Sequence, residues 1–214
     1  MFLSCIAEDT ALVTTARASR PRRKLSNMNE AKKSPMNSID RNQTEQNHQD
    51  LSGQEAVKKI QELVKKGQNC FFCTAVSSNG SSAARPMNIR QVDEEGNLWF
   101  LSASDSHKNK ELALDPAVSL YFQGSDHSDF LQLNGRATIS HDRVKIEELW
   151  EFVIKTWFTE GVDDPRITII KVAPSEGYYW GNKHGNTVAG VKMLIGAALG
   201  KTLDDSIEGK LDVD

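Results

Sequence analysis

Residues 70–103 read CFFCTAVS (70–77), SNGS (78–81), SAARPMNIRQV (82–92), DEEGN (93–97) and LWFLSA (98–103). Three runs rich in β-branched and aromatic residues are separated by two turn signals, and Asn79-Gly80 is the residue pair that a two-residue hairpin demands. The stretch is therefore expected to be a three-stranded meander. Pro86 sits inside the second run, and proline cannot donate to a strand ladder, so this strand is expected at an edge or a bulge. Irregular backbone of that kind can face a ligand with free N–H and C=O groups. Arg85, just before it, would add a charge-assisted, bidentate grip on phosphate; the plainer alternative is a surface arginine.

Working outward, residues 51–67, LSGQEAVKKIQELVKKG, have capping-box spacing at Ser52 and Glu55. Ala56, Val57, Ile60, Leu63 and Val64 share one face and Gly67 supplies a stop, so one amphipathic helix is expected. After the meander come a short helix (106–115, halted before Pro116), a strand (117–123) and a longer strand (129–140) with Gly135 as a bend or bulge. Asp142 is placed to cap a second long helix over 143–158, in which Trp150 and Trp157 are core candidates. ITIIKVAP (167–174) and GYYWG (177–181) read as final strands, and 188–200 as an apolar helix. The expected fold is mainly antiparallel β with flanking helices, and a closed or nearly closed barrel best removes exposed edges from such a pattern.

Three parts are expected: a leader at 1–50 without fixed structure, a domain at 51–200 and an acidic tail at 201–214. The net charge of −3 divides into +2 for residues 1–50 and −5 for the remainder. The body is mildly acidic, which disfavours nonspecific nucleic-acid binding. The basic cluster RASRPRRK (17–24) reads as a solvated part of the leader. No run approaches a membrane span, and the order of apolar and basic residues at the start is wrong for a secretory signal, so a cytoplasmic protein is expected. The three cysteines have no framework spacing. Cys70 and Cys73 have C-x-x-C spacing but fall in a strand, where positions i and i+3 point to opposite faces; a structural role follows, and no metal site. The histidines show no metal-ligand spacing, and no nucleophile elbow or P-loop is present, so hydrolase and triphosphatase chemistries lack support.

The segment SASDSHKNKEL (102–112) leaves a strand and opens a helix with Ser106 at the cap. Such an end presents unpaired N–H groups and the positive end of the dipole. Helix design prefers acids there, yet the first turn holds His107, Lys108 and Lys110. A bound anion would relieve the conflict; a solvated turn is the bland alternative. Trp180 in YYWGNKHGN (178–186) is either core or the edge of a planar-ligand site.

With these residues in view, the chain resembles the flavin-binding split barrels related to pyridoxamine 5′-phosphate oxidase, most closely their bacterial general stress protein branch. SSAARPMNI (81–89), the segment 98–122 with its W-F, S-x-K and D-P-x-V elements, the strand-helix unit 130–150 and the W-F…DDP…Y-W ending at 157–180 carry the resemblance. It implies a split β-barrel homodimer with FMN at the subunit interface. Arg85, Ser106 and Lys108 would hold the phosphate, with His107 where the oxidase has a phosphate-binding arginine. Pro86, Met87, Asn88, Leu101 and Ser102 would line the ring and ribityl chain, while Phe130 and Trp180 would sit beside the flavin, Trp180 from the partner. Oxidases of this family carry R-x-H after the Y-W element, and this chain reads YYWGNKHGNTVAG (178–190). Oxidation of vitamin B6 phosphates is thus not expected. The implied function is FMN-dependent redox work on a small donor or acceptor in a stress response. The alternatives are a non-turnover flavin store or sensor, or the same barrel holding F420 or haem.

Overall fold

The computed structural model describes residues 47–78, 83–126, 128–185, 189, 191, 192, 194, 195 and 205–213. Among the described residues the bounded strands and α-helices follow the order β1 (Leu51–Ser52), α1 (Gly53–Lys66), β2 (Asn69–Thr74), β3 (Ala84–Asn88), β4 (Gln91–Val92), β5 (Leu98–Ala103), α2 (His107–Leu114), β6 (Ala117–Gln123), β7 (Phe130–Ser140), α3 (Arg143–Leu149), β8 (Ile167–Asn182) and β9 (Ser206–Asp212). Two 3-10 segments, Phe152–Thr156 and Gly161–Asp163, lie between α3 and β8.

The meander forms as the turn residues dictate. β2 pairs antiparallel with β3, and β4 with β5 across a turn in which Gly96 takes φ +83 and Asp93 accepts from Asn97 N–H and Trp99 Nε1. β3 runs into β4 through Ile89 and Arg90, so the path β2–β6–β7–β8–β5–β4 returns along one bent strand to β3 beside β2. That closure makes the expected split barrel and removes most edges. β3 itself pairs only with β2 among the described residues, as Pro86 requires.

The barrel interior holds Phe72, Phe100, Leu98, Leu120, Leu131 and Leu133, capped by Ala56, Ile60, Leu63 and Val64 of α1, whose five anticipated apolar positions are all buried. Phe72 meets Phe100 edge to face at 5.4 Å. A second cluster, Ile146, Leu149, Ile154, Phe158, Ile167 and Ile169, covers the outer face of β8. The first half of β8 is thereby buried on both faces, which is why its sequence is a continuous apolar run.

Several expectations need correction. The anticipated helix 143–158 breaks at Trp150, which is extended (ψ 133), because Arg90 bonds the Leu149 carbonyl and pairs with Glu151 across the break. ITIIKVAP and GYYWG are one sixteen-residue strand, with the irregularity absorbed at Asn134/Gly135 on β7. Ser52 flanks α1 but makes no side-chain cap bond, being held in β1. The acidic tail is a strand: β9 pairs with β8 and β1. Pairing also begins inside the expected leader, where Gln49 N–H donates to the Glu208 carbonyl at 2.8 Å and Glu208 N–H to that of Asn47 at 2.9 Å. Gly209 permits this approach, since a Cβ there would stand 1.8 Å from the Gln49 carbonyl oxygen. The rest of the leader (1–46), the Asn79-Gly80 hairpin tip and most of 188–200 lie outside the described residues, although 189, 191, 192, 194 and 195 are helical.

Candidate functional site

A cavity of about 430 Å³ opens where the free edge of β3 faces the end of β5 and the start of α2, within the size range of ligand pockets. Pro86, Met87, Asn88, Leu101, Ser102, Ser106 and Lys108 line it, seven of the anticipated site residues in one place. Arg90, Ala103, Ile154, Trp157 and Phe158 complete the wall.

The polar end is organised by α2. Ser106 caps the helix by accepting from Asn109 N–H at 3.2 Å. The amides of His107 and Lys108 then remain at the open end that every helix leaves. Asn109, buried, accepts from the Ser102 hydroxyl at 2.9 Å and donates to Thr168 Oγ1 at 2.8 Å, so β5, α2 and β8 are pinned together beneath the cavity. Lys108 is only 7% exposed and has no hydrogen-bond or ion-pair partner among the described residues. Burial, with the charge of Arg85 adding to it, outweighs the attraction of the nearby Glu111 carboxylate and pushes its ammonium down to about 8. A desolvated cation without an ion pair, set on a cavity wall, can receive an anion.

Arg85 is placed less freely than a phosphate clamp. Its Nη2 donates to the buried carboxylate of Glu111 at 2.7 Å, and its Nη1 to Thr74 Oγ1 (3.3 Å) and the Ala83 carbonyl (3.2 Å). His107 is exposed, with Nδ1 3.2 Å from Ser78 Oγ, and does not line the cavity. Phe130 and Trp180 are also elsewhere in this chain: they are cross-strand partners in a separate hollow with Tyr121 and Leu131. They form an exposed aromatic band with Phe71 and Tyr121, which are register partners on β2 and β6.

Sequence reasoning missed Glu111, Asn109 and Trp157. The first two look like ordinary helix residues, and only the partners on β2, β3 and β8 give them meaning. Trp157 has helical spacing from Trp150, but the chain breaks between them: Trp150 packs against Phe158 at 6.4 Å, whereas Trp157 is 67% exposed on the cavity lip. Cys70 is buried, and burial pushes its thiol up to about 12, in keeping with a packing role. No group of three or more metal-ligating side chains occurs among the described residues. No helix there is long and apolar enough to cross a membrane.

A split β-barrel with a ligand-sized slot at its open strand edge, walled at one end by a helix N-terminus and a bare lysine, defines the class. Residues 55–204 match the family described as pyridoxamine 5′-phosphate oxidase like, and the chain belongs to that family. It is 23% identical over 132 residues to protein bli-3 of Neurospora crassa, covering 58% of this chain and 63% of that one, so the match spans less than two thirds of the relative's length. Among solved structures, a candidate general stress protein 26 from Jannaschia sp. CCS1 shares the fold at a TM-score of 0.58, with 21% identity over 75% of this chain and 99% of that one. A general stress FMN/FAD binding protein from Xanthomonas citri does so at 0.50, with 19% identity over 57% and 86% of the two chains.

Proposed function

We propose that this protein binds a flavin, FMN, in the β3–β5–α2 cavity and uses it for electron or hydride transfer with a small partner molecule, in a general stress response. The observation that carries the reading is Lys108, buried without an ion-pair partner among the described residues on the cavity wall beside the open end of α2. The residues fit such a cofactor. Lys108 and the first-turn amides suit its phosphate, and the backbone of Pro86–Asn88 with Leu101 suits one face of a flat ring. Trp157 and Phe158 suit the other face. The flavin would supply the redox chemistry; the chain supplies position, desolvation and charge. A second copy of the chain would cover the Phe71, Tyr121, Phe130 and Trp180 band, bringing Trp180 toward the neighbouring cavity. Stress response rests on the family branch alone.

Vitamin B6 phosphates fit poorly. Among the described residues, the cavity wall has one cation besides Lys108, Arg90, which is committed to Glu151, Asn88 and the Leu149 carbonyl. A non-turnover flavin store is the second reading, favoured because the cavity lining among the described residues has no carboxylate, histidine or thiol. The visible spectrum of the purified protein tests the first point: flavin bands that vanish in Lys108→Ala support the site, and a colourless protein that takes up no added FMN refutes it. Anaerobic NAD(P)H then separates the two readings, since bleaching marks turnover and a flavin left oxidised marks a store.

A further inference from the structure

Glu111 follows Lys108 by three residues on α2, with a side chain that is 0% exposed. Its carboxylate is saturated: Thr74 Oγ1, Ser78 N–H and Ser78 Oγ each donate at 2.8 Å, and Arg85 Nη2 at 2.7 Å. Burial pushes the carboxyl up, but the Arg85, Ser78 and Thr74 bonds outweigh it and leave it at about 2. Glu111 is therefore a fixed negative charge, and the Arg85 guanidinium is matched by it.

The other charged groups around the polar end do not alter this balance. From α2, His107 is exposed and turned to Ser78, and Lys110 is exposed. From the turn after β5, Asp105 is exposed. From the β3–β4 bend, Arg90 is paired with Glu151. Among the described residues Lys108 is the buried cation here without an ion pair, and at its ammonium the repulsion from Arg85 exceeds the attraction from Glu111.

We propose that Glu111 sets the charge of the anion this site accepts. By neutralising Arg85 it leaves one cation for the ligand, so a phosphate is held with a single negative charge, either as a diester or as a monoester that gains a proton on binding. The inference rests on the flavin reading of the same cavity and names the form of its phosphate. A free phosphate monoester loses its second proton near pH 6, so at about pH 7.5 it is mostly dianionic. Placing that dianion beside a buried carboxylate with one cation to answer it is costly. Transfer of one proton from solvent to a phosphate oxygen removes the excess charge. A diester has no such proton to gain. Lys108 takes up the same fraction of a proton with either ligand, so the difference between ligands isolates the phosphate.

The test is calorimetric titration at about pH 7.5 in buffers of different ionisation enthalpy, with FMN, FAD and riboflavin as ligands. In the wild type, FMN should take up close to one more proton than FAD. In Glu111→Gln, which frees the Arg85 charge, that difference should fall toward zero and FMN should tighten roughly tenfold relative to riboflavin. Equal proton uptake by FMN and FAD in the wild type overturns the proposal, and this comparison needs no variant. An undiminished difference in a folded Glu111→Gln protein overturns it as well. If no flavin binds, the flavin reading fails separately. Inorganic phosphate then decides the charge rule: proton uptake that Glu111→Gln removes supports it, and binding without uptake refutes it.

Discussion

Replacing Lys108 by Met should stabilise the flavin-free protein while weakening its hold on FMN. In the fold the ammonium is buried without a partner, and its pKa falls from 10.5 to about 8. Converted at 1.36 kcal/mol per pH unit, that gap is a penalty of about 3 kcal/mol, borne by the folded state wherever both states are charged. The sign follows directly. Below pH 8 the full penalty applies. Between about 8 and 10.5 the unfolded chain binds more protons than the folded one, so wild-type stability rises with pH, and above 10.5 the penalty is gone. Methionine has similar length and no charge, so the variant should melt higher than wild type near pH 7, by roughly 5–10 °C for a chain of this size. The difference should close by about pH 10. Loss of a charge-assisted bond of ~1.5–3 kcal/mol should weaken FMN roughly 10- to 150-fold at neutral pH and leave riboflavin unchanged. Thermal melts of both apoproteins at the two pH values, with flavin titrations, measure all of this. A variant that melts at or below wild type at pH 7, or binds FMN as tightly, would refute the assignment of Lys108 as an unpaired anion-binding cation.

Other outcomes follow from particular contacts. Gly209→Ala should cost about 1–3 kcal/mol, because its Cβ collides with the Gln49 carbonyl, and hydrogen exchange should show the Gln49 and Glu208 amides unprotected; unchanged protection would mean that residues 47–50 do not pair with β9. Trp157→Ala should shift apoprotein stability by no more than about 0.5 kcal/mol yet loosen flavin, whereas Ile154→Ala, at a buried site three residues earlier, should cost about 2–5 kcal/mol; chemical denaturation with flavin titration distinguishes them. Asp205 is held at about 2 by Lys192 and His184 against the burial that would raise it, so its stabilisation is present above pH 3.8 and lost as pH falls toward 2. The gap in urea midpoint between wild type and Asp205→Asn should therefore shrink from about pH 5 to pH 2.5, and a constant gap would exclude the ion cluster as its source.

Where local chemistry decides structure, the sequence is transparent. The five buried positions of α1, the Ser106 and Asp142 caps and the Gly135 bulge are each set within a few residues, and each is present. Where tertiary contacts decide, the local pattern misleads. Nothing within 143–158 announces that Arg90, from the β3–β4 bend, will hold an extended Trp150. β9 offers only Ile207 and Leu211 as apolar side chains, too few to mark a strand, and forms because β8 presents an unpaired edge beyond the reach of β5. The site divides in the same way. The lysine at a helix start that lacks acids is visible in one dimension, because it contradicts a local rule. The carboxylate that governs Arg85 is invisible, because its partners come from β2, β3 and the loop between them.

Three departures from sound folding practice meet at one place. Pro86 leaves β3 with pairing on one side only, the first turn of α2 has no acidic residue, and Lys108 is buried without an ion pair among the described residues. Each lowers the stability of the empty protein, and a solvated turn would call for none of them. One ligand relieves all three, provided that it joins an anionic group to a flat, hydrogen-bonding ring: the anion answers Lys108 and the helix end, and the ring edge answers the open backbone of Pro86–Asn88. An anion without a ring would leave the β3 edge unmet, and a ring without an anion would leave the lysine. On the proposed reading these three features together call for both halves of the ligand, and a tight ligand of either half alone would break that link.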